Sequence, residues 1–260
     1  MNKKLIDTHV EAASLLCKIK DEFRDMILSS QNIKSINEAF ARKFVRSKFR
    51  KYNLKTDKDS PIVAFNENTS QVHYFPNKKS SCLTKESLIL LDMWAHLPNG
   101  VYADMTWMSY YGKRPSHLIT SAFDAIIGAR DSMISFIRNN LQDGHLPTAN
   151  LCDANVRDYL NKKQLGSYFL HSTGHSMTQR LVHGLKSNKG ISPRNNLKIK
   201  KMLPYTVEPG LYFGHLDRPF GVRTEMDFYI NSKNEIIITS DAQKELDYIL
   251  PKGQKRLDLF

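Results

Sequence analysis

Apolar residues recur every three or four positions near the start of the chain, at Ile6, Val10, Ala13, Leu16, Ile19, Phe23 and Ile27. That spacing predicts a helix over 4–29 with one buried face. Ser35-Ile36-Asn37-Glu38 has a capping-box pattern and predicts a second helix running to about Tyr52. The pattern then shortens. Pro61-Ile62-Val63-Ala64-Phe65 reads as a strand, and Gln71–Pro76 as a short extended segment ended by proline. Ser87–Leu97 and Val101–Tyr110 are apolar runs joined by Pro98-Asn99-Gly100, which predicts a hairpin. A longer amphipathic helix is expected over Ser121–Asn140 and a shorter one over Ala154–Lys162. Strands follow near Ser167–His171, Tyr205–Phe213, Gly221–Ile230 and Glu235–Thr239, with a polar, basic loop over 184–201. Strands and helices mix without strict βαβ alternation, so the fold class expected is α+β with a largely antiparallel sheet. No linker divides the chain, and 1–260 is read as a single domain.

Composition narrows this picture. At 260 residues and 41% hydrophobic content, the chain can bury one large core. No apolar run is long enough for a membrane span, and Asp7, His9 and Glu11 interrupt any secretory leader at the start. Cys17, Cys82 and Cys152 are odd in number and widely spaced, which fits reduced thiols and a cytoplasmic location. The formal net charge is +12, concentrated in 42–58 and 186–201. No aromatic-basic interleaving accompanies it, so nucleic acid is not the expected partner.

The candidate chemistry lies in five side chains. Asp92 and Asp104 sit twelve positions apart on the two arms of the hairpin. If the loop centres on Pro98 they face each other, and like charges so placed destabilise a hairpin unless a cation joins them. The alternative is an exposed aspartate on a sheet edge. His175 lies in His171-Ser172-Thr173-Gly174-His175, where a glycine beside histidine suggests close backbone packing. Glu208 precedes Pro209-Gly210 at a strand end. Arg223, Glu225 and Asp227 alternate on one strand face that either meets solvent or lines a site, with Arg223 available to pair a carboxylate.

The order of these residues resembles the metallopeptidase family of Xaa-Pro dipeptidases (prolidases), aminopeptidase P, methionine aminopeptidases and creatinase. The matching segments are Val72-His73-Tyr74, Leu91-Asp92, Ala103-Asp104-Met105-Thr106, His171–His175, Val182-His183-Gly184, Val207-Glu208-Pro209-Gly210 and Gly221–Glu225. The resemblance implies the pita-bread fold, a curved, mainly antiparallel sheet flanked by helices with pseudo-two-fold symmetry. It also implies two divalent metal ions, manganese or cobalt first and zinc or iron next. Asp104, His175 and Glu208 would hold one ion, Asp92 would chelate the other, and Asp104 and Glu225 would bridge them. Glu208 would double as the proton shuttle, with His73, His171 and His183 on the substrate side.

Val72-His73-Tyr74 points to the prolidase and aminopeptidase P branch. The substrate implied is a short peptide losing its N-terminal residue, of Xaa-Pro type. A methionine aminopeptidase-like enzyme and a non-catalytic basic binding protein of the same fold are the alternatives, and creatinase shows that the scaffold also serves other carbon–nitrogen bonds. Three departures from the family pattern stand out. The Asp92–Asp104 and His175–His183 spacings are each one residue longer than usual in the family, and Thr178 replaces a usual glycine. The N-terminal domain common in this branch is expected to be absent. The oligomeric state stays open, a homodimer included.

Overall fold

The computed structural model describes residues 1–76, 80–183 and 190–250. Helix α1 spans Lys3–Ser29 and α2 spans Glu38–Lys51. The predicted capping box is not the device that starts α2. Asn37 caps it by accepting the Phe40 N–H, and Ser35 instead closes a 3-10 turn over Ile33–Ser35. Glu38 turns inward, where its carboxylate accepts from the Phe65 and Ser81 N–H groups and the Tyr74 hydroxyl. Those three partners outbid the cap.

Strands β1 (Ile62–Phe65), β2 (Ser87–Ala95) and β3 (Ala103–Tyr111) form an antiparallel sheet, extended on its far side by β9 (Asp247–Ile249) parallel to β3. No strand was anticipated at β9. Segment 71–76 turns at Val72-His73 instead of running extended. Every residue of β2 is buried, because helices or further strands cover both faces. Ile89, Leu91 and Met93 pack on the side of α1 and α2, whereas Leu88, Leu90 and Trp94 face α3 (His117–Gln142) and α4 (Ala149–Lys162). The same alternation sends Asp92 and Asp104 to that second side.

The expected strand at 167–171 is absent. A 3-10 turn covers Gly166–Tyr168, and the carbonyls of Phe169 and His171 accept from the Arg157 guanidinium rather than from a neighbouring strand. The two long strands expected nearer the C-terminus each break in two. β4 (Tyr205–Val207) pairs with β7 (Met226–Ile230), and β5 (Gly210–Phe213) pairs with β6 (Phe220–Arg223). β8 (Ile236–Ile238) continues beside β7. Pro209 has no N–H to offer a ladder, and the Glu225 N–H crosses to the Thr106 carbonyl of β3. The interruption therefore places Glu208-Pro209 against Thr224-Glu225. The antiparallel sheets and flanking helices agree with the α+β expectation.

Part of the first basic stretch is engaged in the fold. Arg42 and Arg46 donate to the carbonyls of the 57–61 loop, and Lys48 and Lys51 pair with Glu22. Part of the second stretch, residues 186–189, lies outside the described residues, and 190–201 carries no helix or strand.

Candidate metal centre

The five predicted donors come from five places in the fold and converge on one buried site. Asp92 lies on β2, Asp104 on β3, His175 in the segment before β4, and Glu208 and Glu225 at the two strand breaks. Asp92, Asp104, His175 and Glu225 are each at most 7% exposed. Donor atoms of Asp104, His175 and Glu225 all lie within 4.8 Å of one another. His175 Nε2 is also 3.4 Å from Glu208 Oε1 and 3.7 Å from Asp104 Oδ2.

The hairpin register differs from the prediction. Asp92 stands opposite Thr106 and Asp104 opposite Trp94, so the two aspartates are diagonal neighbours on one face. The loop centres on Asn99, not Pro98. Asn99 takes a φ of 60° and the Gly100 N–H bonds to the Leu97 carbonyl, a turn with proline at its second position. Asp92 forms an ion pair with Arg223. Arg223 thus pairs a carboxylate of the cluster, one of the two roles its strand face allowed.

Short polar side chains one pleat away hold the donors. Thr106, two residues after Asp104, donates to Glu225 Oε2 at 2.8 Å and accepts from Arg223 Nε at 3.1 Å. Thr206, two residues before Glu208, accepts the His175 N–H at 3.1 Å. Both threonines escaped the sequence reading, yet the period of two that places them beside each ligand was visible. The fully buried Asp227 accepts the Asp104 N–H at 2.9 Å, tying β7 to β3. His9 of α1 lies beyond it, 3.9 Å from Asp227 Oδ2.

Glycine 174 is fixed by contact. A methyl group there would stand 2.2 Å from the Thr206 carbonyl oxygen, and backbone on both sides cannot yield. Gly174→Ala is expected to destabilise by about 2 kcal/mol, lowering Tm by about 5 °C in a thermal melt. An unchanged Tm would mean that the His175 segment is not pinned to β4 as described.

Without a cation this cluster is electrostatically strained. Burial, reinforced by the neighbouring carboxylates, holds Asp104 and Glu225 well above the usual carboxylate range. Burial pushes Glu208 up to about 8, with Arg223 opposing and Asp92 adding. Burial also pushes His175 down to about 3, leaving the imidazole neutral and able to bind a metal. Among the described residues, the buried Asp104 Oδ1 and His175 Nδ1 have no hydrogen-bond partner. Carboxylate oxygens with one imidazole suit a hard or borderline divalent cation, so the residues present fit such an ion.

A cavity of about 530 Å³ opens on the cluster. His73, His171 and His183 all line it, together with Trp94 and Phe75. The His183 ring lies 4.9 Å from His175 and 6.0 Å from Trp94. His171 Nδ1 lies 2.8 Å from the Ser172 carbonyl and so carries the proton; its Nε2 then accepts from the Tyr212 hydroxyl at 2.9 Å. Arg223 donates to the same hydroxyl at 3.0 Å. Burial pushes His171 down to about 3, consistent with that neutral tautomer.

A family model described as metallopeptidase family M24 matches residues 8–232. Among curated proteins, the uncharacterized peptidase YqhT of Bacillus subtilis is 29% identical over 185 residues, covering 71% of this chain and 47% of its own length. Intermediate cleaving peptidase 55 of Saccharomyces cerevisiae is 26% identical over 243 residues, covering 82% of this chain and 45% of its own. The chain therefore spans about half the length of the curated relatives it matches. Among solved structures, the Xaa-Pro dipeptidase from Bacillus anthracis superposes with a TM-score of 0.80 at 22% identity, over 95% of this chain and 63% of that one. The prolidase from Thermococcus sibiricus gives 0.78 at 22%, over 95% and 61%. These likenesses show the pita-bread fold.

Proposed function

The chain belongs to metallopeptidase family M24, and from that premise we propose that it is a dinuclear metal-dependent exopeptidase that removes the N-terminal residue of short peptides, Xaa-Pro peptides foremost. One observation carries the reading: donor atoms of Asp104, His175 and Glu225 gather within 4.8 Å at the floor of a cavity large enough for a short peptide. Asp104, His175 and Glu208 would hold one divalent ion, Asp92 the other, with Asp104 and Glu225 shared between them. Manganese or cobalt is the favoured ion, followed by zinc or iron. Bound there, the ions would supply Lewis-acid activation of water and of the scissile carbonyl.

The protein's own groups perform the remaining work. Glu208 would take a proton from the attacking water on one carboxylate oxygen and pass it to the leaving nitrogen. His183 and His73 line the same cavity and would donate N–H groups to the developing oxyanion. His171 has both ring nitrogens engaged, so it would meet the leaving-side residue through its ring. Tyr212 and Arg223 keep that ring in place.

The chain reads as one catalytic domain acting in the cytoplasm, where its free Cys17, Cys82 and Cys152 would stay reduced. Among the described residues no helix is long and apolar enough to cross a membrane. Metal analysis of the purified protein, run beside cleavage of Ala-Pro, Ala-Pro-Ala and Met-Ala-Ser after manganese loading, tests the proposal. Preferred cleavage of the Xaa-Pro peptides is expected. Preferred cleavage of Met-Ala-Ser would move the chain to the methionine aminopeptidase type, and no cleavage with metal bound would refute peptidase action.

A further inference from the structure

The cavity carries one acid that the cluster does not use. Asp59 precedes β1 and lines the cavity in a half-buried position. Its loop is rigid. Asp57 Oδ1 accepts the N–H groups of Asp59 and Ser60, Asp57 Oδ2 accepts the Trp94 indole N–H at 3.0 Å, and Arg42 donates to the carbonyls of Lys58, Asp59 and Pro61. Asp57 is thus spent on holding the loop. The Asp59 carboxylate makes no hydrogen bond or ion pair among the described residues. Ile62, Val72 and Phe75 line the same cavity as apolar surface, and the Phe75 ring lies 5.9 Å from the Arg42 guanidinium that holds the Asp59 carbonyl. The neighbouring groove that continues from His171 and Ser172 toward Arg157 and Arg194 does not include Asp59. Asp59 is tied through Asp57 to Trp94, whose ring meets His183, whereas His171 on the proposed leaving side meets Phe169 and Tyr212; Asp59 is therefore placed on the Trp94–His183 side of the cavity.

An apolar surface with a carboxylate that has no hydrogen bond or ion pair among the described residues matches a lysine or arginine side chain. The aliphatic stem of such a residue lies along apolar surface while its charged end seeks a partner. Arg42 dilutes the negative field there, but its guanidinium is turned to backbone carbonyls. We propose that Asp59 is a specificity-determining residue, selecting peptides whose first residue is basic. The inference rests on the exopeptidase reading for its orientation of the substrate, and it names the substrate class within that reading.

Norleucine keeps the stem of lysine and lacks its ammonium group, so the pair isolates the charge. Two readouts run in parallel on the metal-loaded protein: initial rates on Lys-Pro-Ala and norleucine-Pro-Ala, and calorimetric binding of free lysine and norleucine. A preference for lysine of about three- to tenfold is expected in both, the range of a half-exposed ion pair. The ratio is expected to fall to about one in D59N, a near-isosteric change at a half-buried position. Equal weakening of lysine and norleucine in D59N would assign the carboxylate to the α-ammonium group and overturn the side-chain reading. An unchanged ratio, or no lysine preference in the wild type, would also overturn it. Selective binding of lysine with no peptide cleaved would sink the peptidase reading and leave this one standing; cleavage without selectivity would do the reverse.

Discussion

Stripping the protein of divalent cations with a chelator is expected to abolish peptide hydrolysis and, at pH 8, to lower Tm by about 10 °C. The stability loss has two sources. Saturating metal binds the folded state alone, and ligand at about a thousand times Kd contributes about 4 kcal/mol. The second source is the buried charge left behind. Glu208 stands at about 8 in the metal-free fold against an ordinary 4.5, and Asp104 and Glu225 are displaced in the same direction. A carboxyl whose folded value is raised contributes stability that is complete below the unfolded value and is lost as pH climbs through the folded one. His175, at about 3, acts in the opposite sense: its contribution is complete above its unfolded value of 6.5 and fades as pH falls toward 3. His171 and His9, at about 3 and 4, behave alike. Above pH 6.5 the histidines have no further effect and the carboxyls remain.

The metal-free protein should accordingly lose on the order of 5 °C of Tm between pH 6.5 and 8. The metal-loaded protein should hold or gain over that interval, since its ligands bind more readily as they lose protons. Parallel melting curves for the two forms, or hydrolysis that survives verified removal of metal, would contradict the proposed centre.

How far these groups could be located from the chain alone depends on what kind of contact fixes each one. Asp104 and Glu208 stand in apolar runs where a carboxylate is out of place, and that local misfit marks them in the sequence. The register of the hairpin was less accessible. Pro98-Asn99-Gly100 announces a turn but not its centre; the centre falls on Asn99, one residue later, and the partner of Asp92 moves by two, from Asp104 to Thr106. The breaks at Glu208-Pro209 and Thr224-Glu225 were hidden for a different reason. Alternation runs without interruption from Gly221 to Ile230, and only the crossing of the Glu225 N–H to Thr106 on β3 ends one strand and begins another. Such long-range bonds leave no periodic trace. The same holds for β9, whose three residues are set by parallel pairing with β3. The basic stretch of α2 shows the converse: its charge was plain in the sequence, while its use on loop carbonyls and Glu22 needed the fold.

Glu208→Gln offers the sharpest separation of chemistry from architecture. The substitution keeps shape and removes both the charge and the capacity to carry a proton. Under the proposed role, kcat should fall by about 10³-fold, within the span usual for a lost general acid–base group. A ligand is weakened at the same time, so metal content must be measured on the variant and the rate compared at full loading. Stability should move the other way. The variant removes one of the crowded carboxylates whose buried charge disfavours the metal-free fold, so metal-free Glu208→Gln should melt above the metal-free wild type at pH 8 and show a flatter dependence between pH 6.5 and 8. Loss of activity together with a gain in metal-free stability is the pattern of a functional group held against its electrostatic preference. A fully metallated Glu208→Gln that keeps more than about a tenth of wild-type kcat would exclude Glu208 as the proton carrier. A variant less stable than wild type in the absence of metal would show that the glutamate supports the fold directly, through contacts such as that of Thr206 Oγ1 with Glu208 Oε1 at 3.5 Å, and not through the cation.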